Sequence, residues 1–304
     1  MVGLVSARWR ALSGNMRGAV LMFGSGLGFV VMAILIRIVA ERIDPLQMAF
    51  LRSLLGWLII LPFVFGTEGG SIRTSFLRMH LTRAALGTVA MFCAYYAIAH
   101  MPLADYTALS FTRPLFATVF AVIVLKETVR WRRWTATVVG LLGVLVMVRP
   151  GAGSIEPATF IALGESISLA LLIVIVKLMP QSERTLAMMF WFGVFAIPIT
   201  FVPALVVWQW PTPFEWLMLV GMAMAGAASQ WMFILAFRSG EASFVAPVDY
   251  VRLISAAAIG FLVFAELPAI WTWLGAAIIM ASTFYIMRRE ARLGRMPRPP
   301  AQSS

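Results

Sequence analysis

Between Arg17 and Arg288 the sequence is a succession of apolar runs separated by short charged or Pro- and Gly-containing connections. A hydrocarbon core about 30 Å thick needs roughly 20 residues of helix to cross it. In hydrocarbon, only a helix or a closed barrel satisfies its own backbone polar groups. The runs give ten such spans, at 18–39, 45–66, 82–99, 103–125, 130–148, 157–178, 186–207, 213–236, 241–265 and 268–287. Hydrophobic residues make up 61% of the chain and charged residues 12%, against about 25% charged in soluble domains. So few charges cannot cover a surface in water. The expected fold class is an all-α integral membrane protein of ten transmembrane helices. The third span opens with Arg83 and the ninth carries Asp249 and Arg252, while Pro198, Pro203 and Pro247 fall inside spans. Membrane helices tolerate prolines where neighbours satisfy the freed carbonyls.

The net charge of +11 does not form a nucleic-acid patch, because the basic residues sit in short groups between apolar runs. Lys and Arg accumulate on the cytoplasmic side of a membrane, and here their distribution is lopsided. Of the 24 basic residues, Arg37, Arg42 and Arg149 fall on one side and Arg52, Arg113 and Arg252 within spans; all the rest fall on the side of the two termini. Both termini are therefore expected in the cytoplasm. The first run is longer than a signal-peptide core and no small-residue cleavage site follows it, so it is expected to be retained. Residues 289–304 form a basic, Pro-containing tail expected to be disordered. The single cysteine, Cys93, lies inside a run and points to packing rather than to a disulfide or metal.

The chain also repeats itself. At an offset of 139, Arg113 falls on Arg252, Glu127 on Glu266, Ala97 on Ala236 and Trp134 on Trp273, so that 102–127 overlays 241–266 without a gap. At an offset of 140, Arg37 meets Lys177 and Gly24 meets Gly164. The spans divide five and five, into halves at 17–149 and 157–288. Five is odd, so the second half enters the membrane from the opposite side. That is an inverted repeat, which lets one half rock against the other around a site at mid-depth.

The five-plus-five organisation, Pro45 with Phe50-Leu51-Arg52 opening span two, and the segment from Met101-Pro102-Leu103-Ala104 through Arg113-Pro114 to Leu125-Lys126-Glu127 resemble the drug/metabolite transporter (DMT) superfamily, and within it the EamA-type members. Gly140, Gly143 and Arg149-Pro150-Gly151 are similar to the same pattern. The resemblance covers about residues 17–288 and implies an EamA-like fold of ten helices whose fourth and ninth line a central cavity. It leaves the substrate open, since such proteins carry amino acids, nucleotide sugars, riboflavin, S-adenosylmethionine, organic cations and other solutes. Two positions depart from the pattern. Arg52 has no basic counterpart, Phe192 standing 140 residues later, and Glu165 is an acid where the second half ordinarily has none.

An Arg or Asp at the centre of a span costs roughly 2.5 to 3.5 kcal/mol on insertion scales. Arg52, Arg113, Glu165, Asp249 and Arg252 must therefore face the interior, with Asp105 nearer an interface. Asp249 and Arg252, three apart, can pair on one helix face; self-neutralisation and substrate contact both fit. Arg113 has Ser110 three residues before it and must look to Asp249, Glu165 or an anionic solute, for which its forked donors suit carboxylate or phosphate. Glu165 and Asp249 are candidates for ion or proton coupling, Glu165 equally for a counter-ion. Arg52 either snorkels or contacts solute. Tyr96, Tyr106, Trp231 and Tyr250 complete the candidate substrate-binding set, the two tyrosines Tyr106 and Tyr250 because they share spans with the charges. Glu127 and Glu266 end spans four and nine ahead of the next helix and read as structural helix-end acids. Gly24, Gly26 and Gly28 lack a preceding strand and read as close-packing positions, not a nucleotide loop.

These features suggest a secondary active transporter that moves a small polar or amphipathic metabolite by alternating access, from a site between helices four and nine. An anionic or zwitterionic solute is favoured, amino-acid-like or vitamin- or nucleoside-like. No ATP-binding, metal or hydrolase motif is found, so no cofactor and no catalytic residue is expected. The alternatives are a membrane-embedded lipid-modifying enzyme, which would need reactive groups near one interface, and a non-transporting membrane scaffold. Expected partners are the small-molecule substrate and membrane lipids, with no nucleic acid, in a monomer or homodimer of a bacterial inner membrane.

Overall fold

A computed structural model describes residues 12–66, 72–126, 131–148, 156–179, 183, 185–240 and 245–294. Among the described residues every regular element is helical. The first half supplies α1 (Gly14–Val39), α2 (Pro45–Gly66), α3 (Leu77–His100), α4 (Leu103–Ser110), α5 (Arg113–Ile123) and α6 (Trp131–Val148). The second supplies α7 (Pro157–Leu178), α8 (Thr185–Val206), α9 (Pro213–Ser239), a 3₁₀ helix (Ala246–Tyr250), α10 (Val251–Phe264) and α11 (Ile270–Gly294). Among the described residues seven stretches are long and apolar enough to cross a membrane, with α4 and α5 counting as one, Leu103–Ile123; shorter apolar helices lie at Trp134–Val148 and Ile270–Tyr285. Large apolar side chains such as Val206, Leu262 and Leu267 stand exposed on the outside, as a lipid-facing surface requires.

Three expectations change. α3 begins at Leu77, which places Arg83 within the helix rather than at its mouth. There Arg83 Nη1 donates to the Met188 carbonyl at 2.9 Å, and its guanidinium lies over the Phe192 ring. α11 runs to Gly294, past residue 289 where the tail was expected to begin; 295–304 lie outside the described residues. Spans four and nine are not single helices. Pro114 near the start of α5 has no N–H to give to the turn before it. Around it the backbone changes to i→i+3 bonding, with Phe111 N on Ala108 O, Thr112 N on Leu109 O and Leu115 N on Thr112 O. The Ser110 and Thr112 hydroxyls donate to the Thr107 and Leu109 carbonyls, both at 2.7 Å, so the broken turn keeps its polar groups satisfied inside the protein. Span nine breaks after a Pro247-containing 3₁₀ helix. Phe111 and Tyr250, which end the two preceding segments, are 139 residues apart, the offset of the repeat.

The two halves interdigitate. α1 packs along α9, and its repeat counterpart α7 packs along α3; α2 packs on α8 and α6 on α11, two pairings that map onto themselves when the halves are exchanged. Small residues let the backbones approach. Ser25 Oγ donates to Ser229 O at 2.9 Å between α1 and α9. A Cβ on Gly275 would lie 2.6 Å from Gly143 O and 2.7 Å from Met147 Cβ, and one on Gly143 would lie 3.1 Å from Gly275 O. Because a carbonyl cannot move aside, Gly275→Val is expected to destabilise the α6–α11 contact by about 1–3 kcal/mol or more. Thermal unfolding of detergent-solubilised protein checks this, with Gly56→Ala, which meets nothing within 4 Å, as the near-neutral control.

Candidate functional site

The two breaks meet. The rings of Phe111 and Tyr250, equivalent in the repeat, stand edge to face with centroids 5.0 Å apart. Tyr250 is held from behind by its hydroxyl, which donates to Met280 O at 3.3 Å. From the first turn of α10, Arg252 reaches across. Its Nη2 donates to Ser110 Oγ at 2.9 Å and lies 3.6 Å from Asp249 Oδ2, while its guanidinium sits over Phe111 at 5.1 Å and Phe29 at 5.9 Å. Asp249 and Arg252 therefore pair, but across the junction of the 3₁₀ helix with α10 rather than along one helix face. Ser110 and Asp249 are also repeat equivalents, so one guanidinium is gripped by the matching residue of each half.

Arg113, at the start of α5, finds Glu165 on α7, with Nη2 donating to Oε1 at 2.6 Å. Glu165 is almost wholly buried at 3% side-chain exposure and Arg113 is 24% exposed. Ser166 steadies the pair, its hydroxyl donating to Leu109 O at 3.2 Å and lying 3.3 Å from Glu165 Oε2. Glu165 is thus the counter-ion of Arg113 in this structure. Tyr106 packs against the buried cluster that holds Tyr95 and the one that holds Phe111, and lies within electrostatic reach of Glu165, Arg113 and Arg252.

Of the other candidates, Tyr96 stacks on His100 at 4.0 Å nearer the end of α3, apart from the charges. Trp231 is 49% exposed on α9 and joins none of the ion pairs, hydrogen bonds or ring contacts of the cluster. Arg52 lies on α2 beside the Tyr95 phenol and the bare backbone of Gly226. Glu127 lies outside the described residues. Ser166 and Phe29 carried no signal in the sequence, because neither is charged nor placed by the repeat.

Glu266 is a structural acid, but not of the helix that follows it. The chain turns back through Ala265 in the left-handed region, φ 55°, and the carboxylate serves α4, accepting the Leu103 N–H at 3.0 Å. It also forms an ion pair with Arg37 at the end of α1, and Arg37 donates to Met101 O at 3.1 Å and lies 4.9 Å over Phe264. Nearby, the Thr272 hydroxyl donates to Asp105 at 2.6 Å, joining α11 to α4. These contacts tie α1, α4, α10 and α11 together at one end of the site. Since Arg37 ends α1 and Thr272 begins α11, it is the end opposite the outer ends of the first and last helices. There α4 packs on α10 and on α11; the repeat-equivalent pairs, α5 and α6 with the 3₁₀ helix, share no comparable packing among the described residues. The residues that the repeat sets opposite these contacts, Glu127, Ala242 and Phe244, lie outside the described residues.

The comparisons with known proteins bear on what such a site serves. The model of the EamA-like transporter family matches this chain twice, at residues 16–149 and 157–288. The S-adenosylmethionine uptake transporter of Rickettsia prowazekii is 30% identical over 251 residues, 83% of this chain and 85% of that protein. The riboflavin transporter of Vibrio cholerae is 29% identical over 289 residues, 93% and 97% of the two chains. The pseudopaline exporter of Pseudomonas aeruginosa is 26% identical over 282 residues, 90% and 96%. A solved crystal structure superimposes with a TM-score of 0.61 at 15% identity, covering 91% of this chain and 98% of that one, a likeness of fold.

Removing Glu165 alone leaves a buried guanidinium without its partner. Glu165→Ala is expected to cost about 3–5 kcal/mol of stability, and the Arg113→Met/Glu165→Leu double variant much less. A double-mutant cycle on thermal unfolding measures the coupling. Additive losses would mean that the two groups do not share a buried pair in solution.

Proposed function

We propose that this chain, which belongs to the EamA-like transporter family, is a secondary active transporter that carries a small polar metabolite by alternating access, with the solute held where the two broken helices meet. It is a multi-pass membrane transporter and not an enzyme. The observation that carries the mechanistic reading is the pair of breaks at repeat-equivalent positions, lined by opposite charges. Broken helices at mid-depth leave donors and acceptors facing a cavity without facing lipid. An inverted repeat supplies the second state at little cost, because each half can take the arrangement the other now has.

In this reading the ten helical passes, counting α4 with α5 and the 3₁₀ helix with α10, put both termini in the cytoplasm of a bacterial cell, in its inner membrane. The protein works there as a monomer or homodimer among lipids. The end tied together by the contacts of Arg37 and Glu266 then faces outward. Arg37 and Glu266 are the outer latch, because their ion pair joins α1 to α10 and, through Leu103 and Met101, to α4 and α3. The solute is small and zwitterionic or anionic. Guanidinium and carboxylate groups of both signs line the site, and similar chains are named for S-adenosylmethionine, riboflavin and pseudopaline. Asp249, 19% exposed and 3.6 Å from its partner, is the freer of the two buried acids and the one we assign to ion or proton coupling.

Counterflow in liposomes tests the transport reading. Wild-type protein is expected to exchange labelled S-adenosylmethionine or riboflavin saturably. Arg113→Ala and Asp249→Asn should lose about tenfold or more, in line with the loss of a charge-assisted hydrogen bond. Absence of saturable flux for every solute tried, under any gradient, would sink it. The latch is tested separately in a Cys93→Ser background carrying Ser110→Cys. Ser110 is 3% exposed, so an impermeant maleimide should label that cysteine slowly, and Glu266→Gln should raise labelling from the outer face. Unchanged outer labelling would remove Arg37 and Glu266 as a latch.

A further inference from the structure

The guanidinium groups of the bundle are nearly all accounted for. Arg113 has Glu165, Arg252 has Asp249 and Ser110, Arg37 has Glu266, and Arg83 has the Met188 carbonyl. Arg52 is different. Within the second span, it makes no ion pair and no hydrogen bond to any described residue; what lies beside it is glycine backbone and a phenol. A Cβ added at Gly226 of α9 would lie 2.9 Å from Met32 Sδ, 3.5 Å from Arg52 Nη2 and 3.8 Å from Nε, so the guanidinium is in van der Waals range of that glycine. The phenol is that of Tyr95 on α3, within electrostatic reach of Arg52. Tyr95 is 2% exposed and its hydroxyl has no hydrogen-bond partner.

Two polar groups are thus left unsatisfied within electrostatic reach of each other. A lone cation in a span and a lone buried hydroxyl are each unfavourable, and each is a donor. The repeat does not demand the charge, since its equivalent is Phe192. Tyr106 packs against the buried cluster that holds Tyr95 and against the one that holds Phe111, so the donors adjoin the interior of the helix breaks. The central pairs are close to neutral as pairs, Arg113 with Glu165 and Arg252 with Asp249, which leaves Arg52 to set the sign of the whole site.

We propose that Arg52 and the Tyr95 hydroxyl form an anion subsite that takes the carboxylate of the transported solute. This rests on the transport reading above. The guanidinium fork donates two parallel hydrogen bonds to a carboxylate and the phenol a third. The remainder of the solute extends toward Phe111 and Tyr250, and any cationic group it carries meets Asp249. The solute is then an amino-acid-bearing one, and neutral ring systems without a carboxylate are poor ligands.

Equilibrium binding to purified protein in nanodiscs, with counterflow in liposomes beside it, tests the subsite. The probes are S-adenosylmethionine, its decarboxylated form, and riboflavin. Wild type is expected to prefer S-adenosylmethionine over the decarboxylated form by about tenfold or more, the scale of hydrogen bonds to a charged group. Arg52→Met should abolish that preference without abolishing residual binding, Arg52→Lys should keep part of it, and Tyr95→Phe should weaken it by about threefold. Thermal unfolding in the same nanodiscs establishes that each variant is folded. Should Arg52→Met be unfolded, Arg52→Lys and Tyr95→Phe decide. Equal wild-type affinity for the two adenosyl compounds, an undiminished preference in the variants, or wild-type binding and flux of riboflavin alone overturns the subsite and leaves the transport reading standing. Loss of saturable binding and flux for all three probes in wild type counts against both.

Discussion

The backbone hydrogen bond is what the rest of this structure answers to. In hydrocarbon an unpaired N–H or C=O has no water to turn to, so a chain of this composition is held to helices wherever it faces lipid. The two departures from helix, at Phe111–Thr112 and at the 3₁₀ segment ending in Tyr250, are permitted because they face each other and not the membrane. Once the helix is broken there, the hydroxyls of Ser110 and Thr112 take up the slack in the backbone, and Ser110 offers its remaining lone pair to Arg252. The place where secondary structure fails is thereby the place where buried charge can be tolerated. A polar site at mid-depth is a consequence of the break, not an addition to it.

The same constraint explains which parts of the molecule were legible in the sequence. Helix positions follow from apolar run length, and α2, α6 and α7 begin or end within a residue of where the runs predict. The repeat register was legible because charged residues are rare enough for Arg113 over Arg252 to stand out. The breaks were not: Pro114 and Pro247 are visible, yet proline is compatible with a continuous membrane helix when neighbours satisfy the carbonyl, as Pro198 and Pro203 show inside α8. Whether proline breaks a helix depends on what packs against it. Partners across the bundle were legible only in part. Arg113 needed an acid, and Glu165 was one of two within reach of inference, whereas the grip of Arg252 on Ser110 depends on a hydroxyl that carries no pattern. Glu266 shows the same limit, since its position at the end of a helix was read as serving the next helix, and the fold brings the start of α4 to it instead.

Glycine has a similar double reading. The glycines of α1 look like a nucleotide loop if counted, but Gly24 and Gly28 line the seam with α9, where a side chain would strike the neighbouring helix, and Gly26 lies beside Asp249 and Arg252. Hydrophobic attraction between helices is weak in lipid, so association rests on close contact and on bonds between polar groups. Ser25 to Ser229 is one such bond, and it spans the two halves. Packing of one half against the other is therefore specified by small and hydroxylated residues, while the large apolar side chains are free to vary on the outside.

The repeat makes the two halves interchangeable in outline, but the residues at the centre are not interchangeable in charge. Ser110 stands opposite Asp249, Phe192 opposite Arg52, and Arg113 takes its carboxylate from α7 while Arg252 takes its own from the adjoining 3₁₀ helix. If the halves exchange arrangements, the backbone returns to an equivalent state and the charges do not. A solute bound at the junction then meets a different set of partners on each side of the cycle. By linkage, a ligand shifts such an equilibrium only to the extent that it binds the two states differently. Asymmetric charge on a symmetric frame supplies that difference, so the departures from the repeat, more than its identities, are where the specificity of this chain resides.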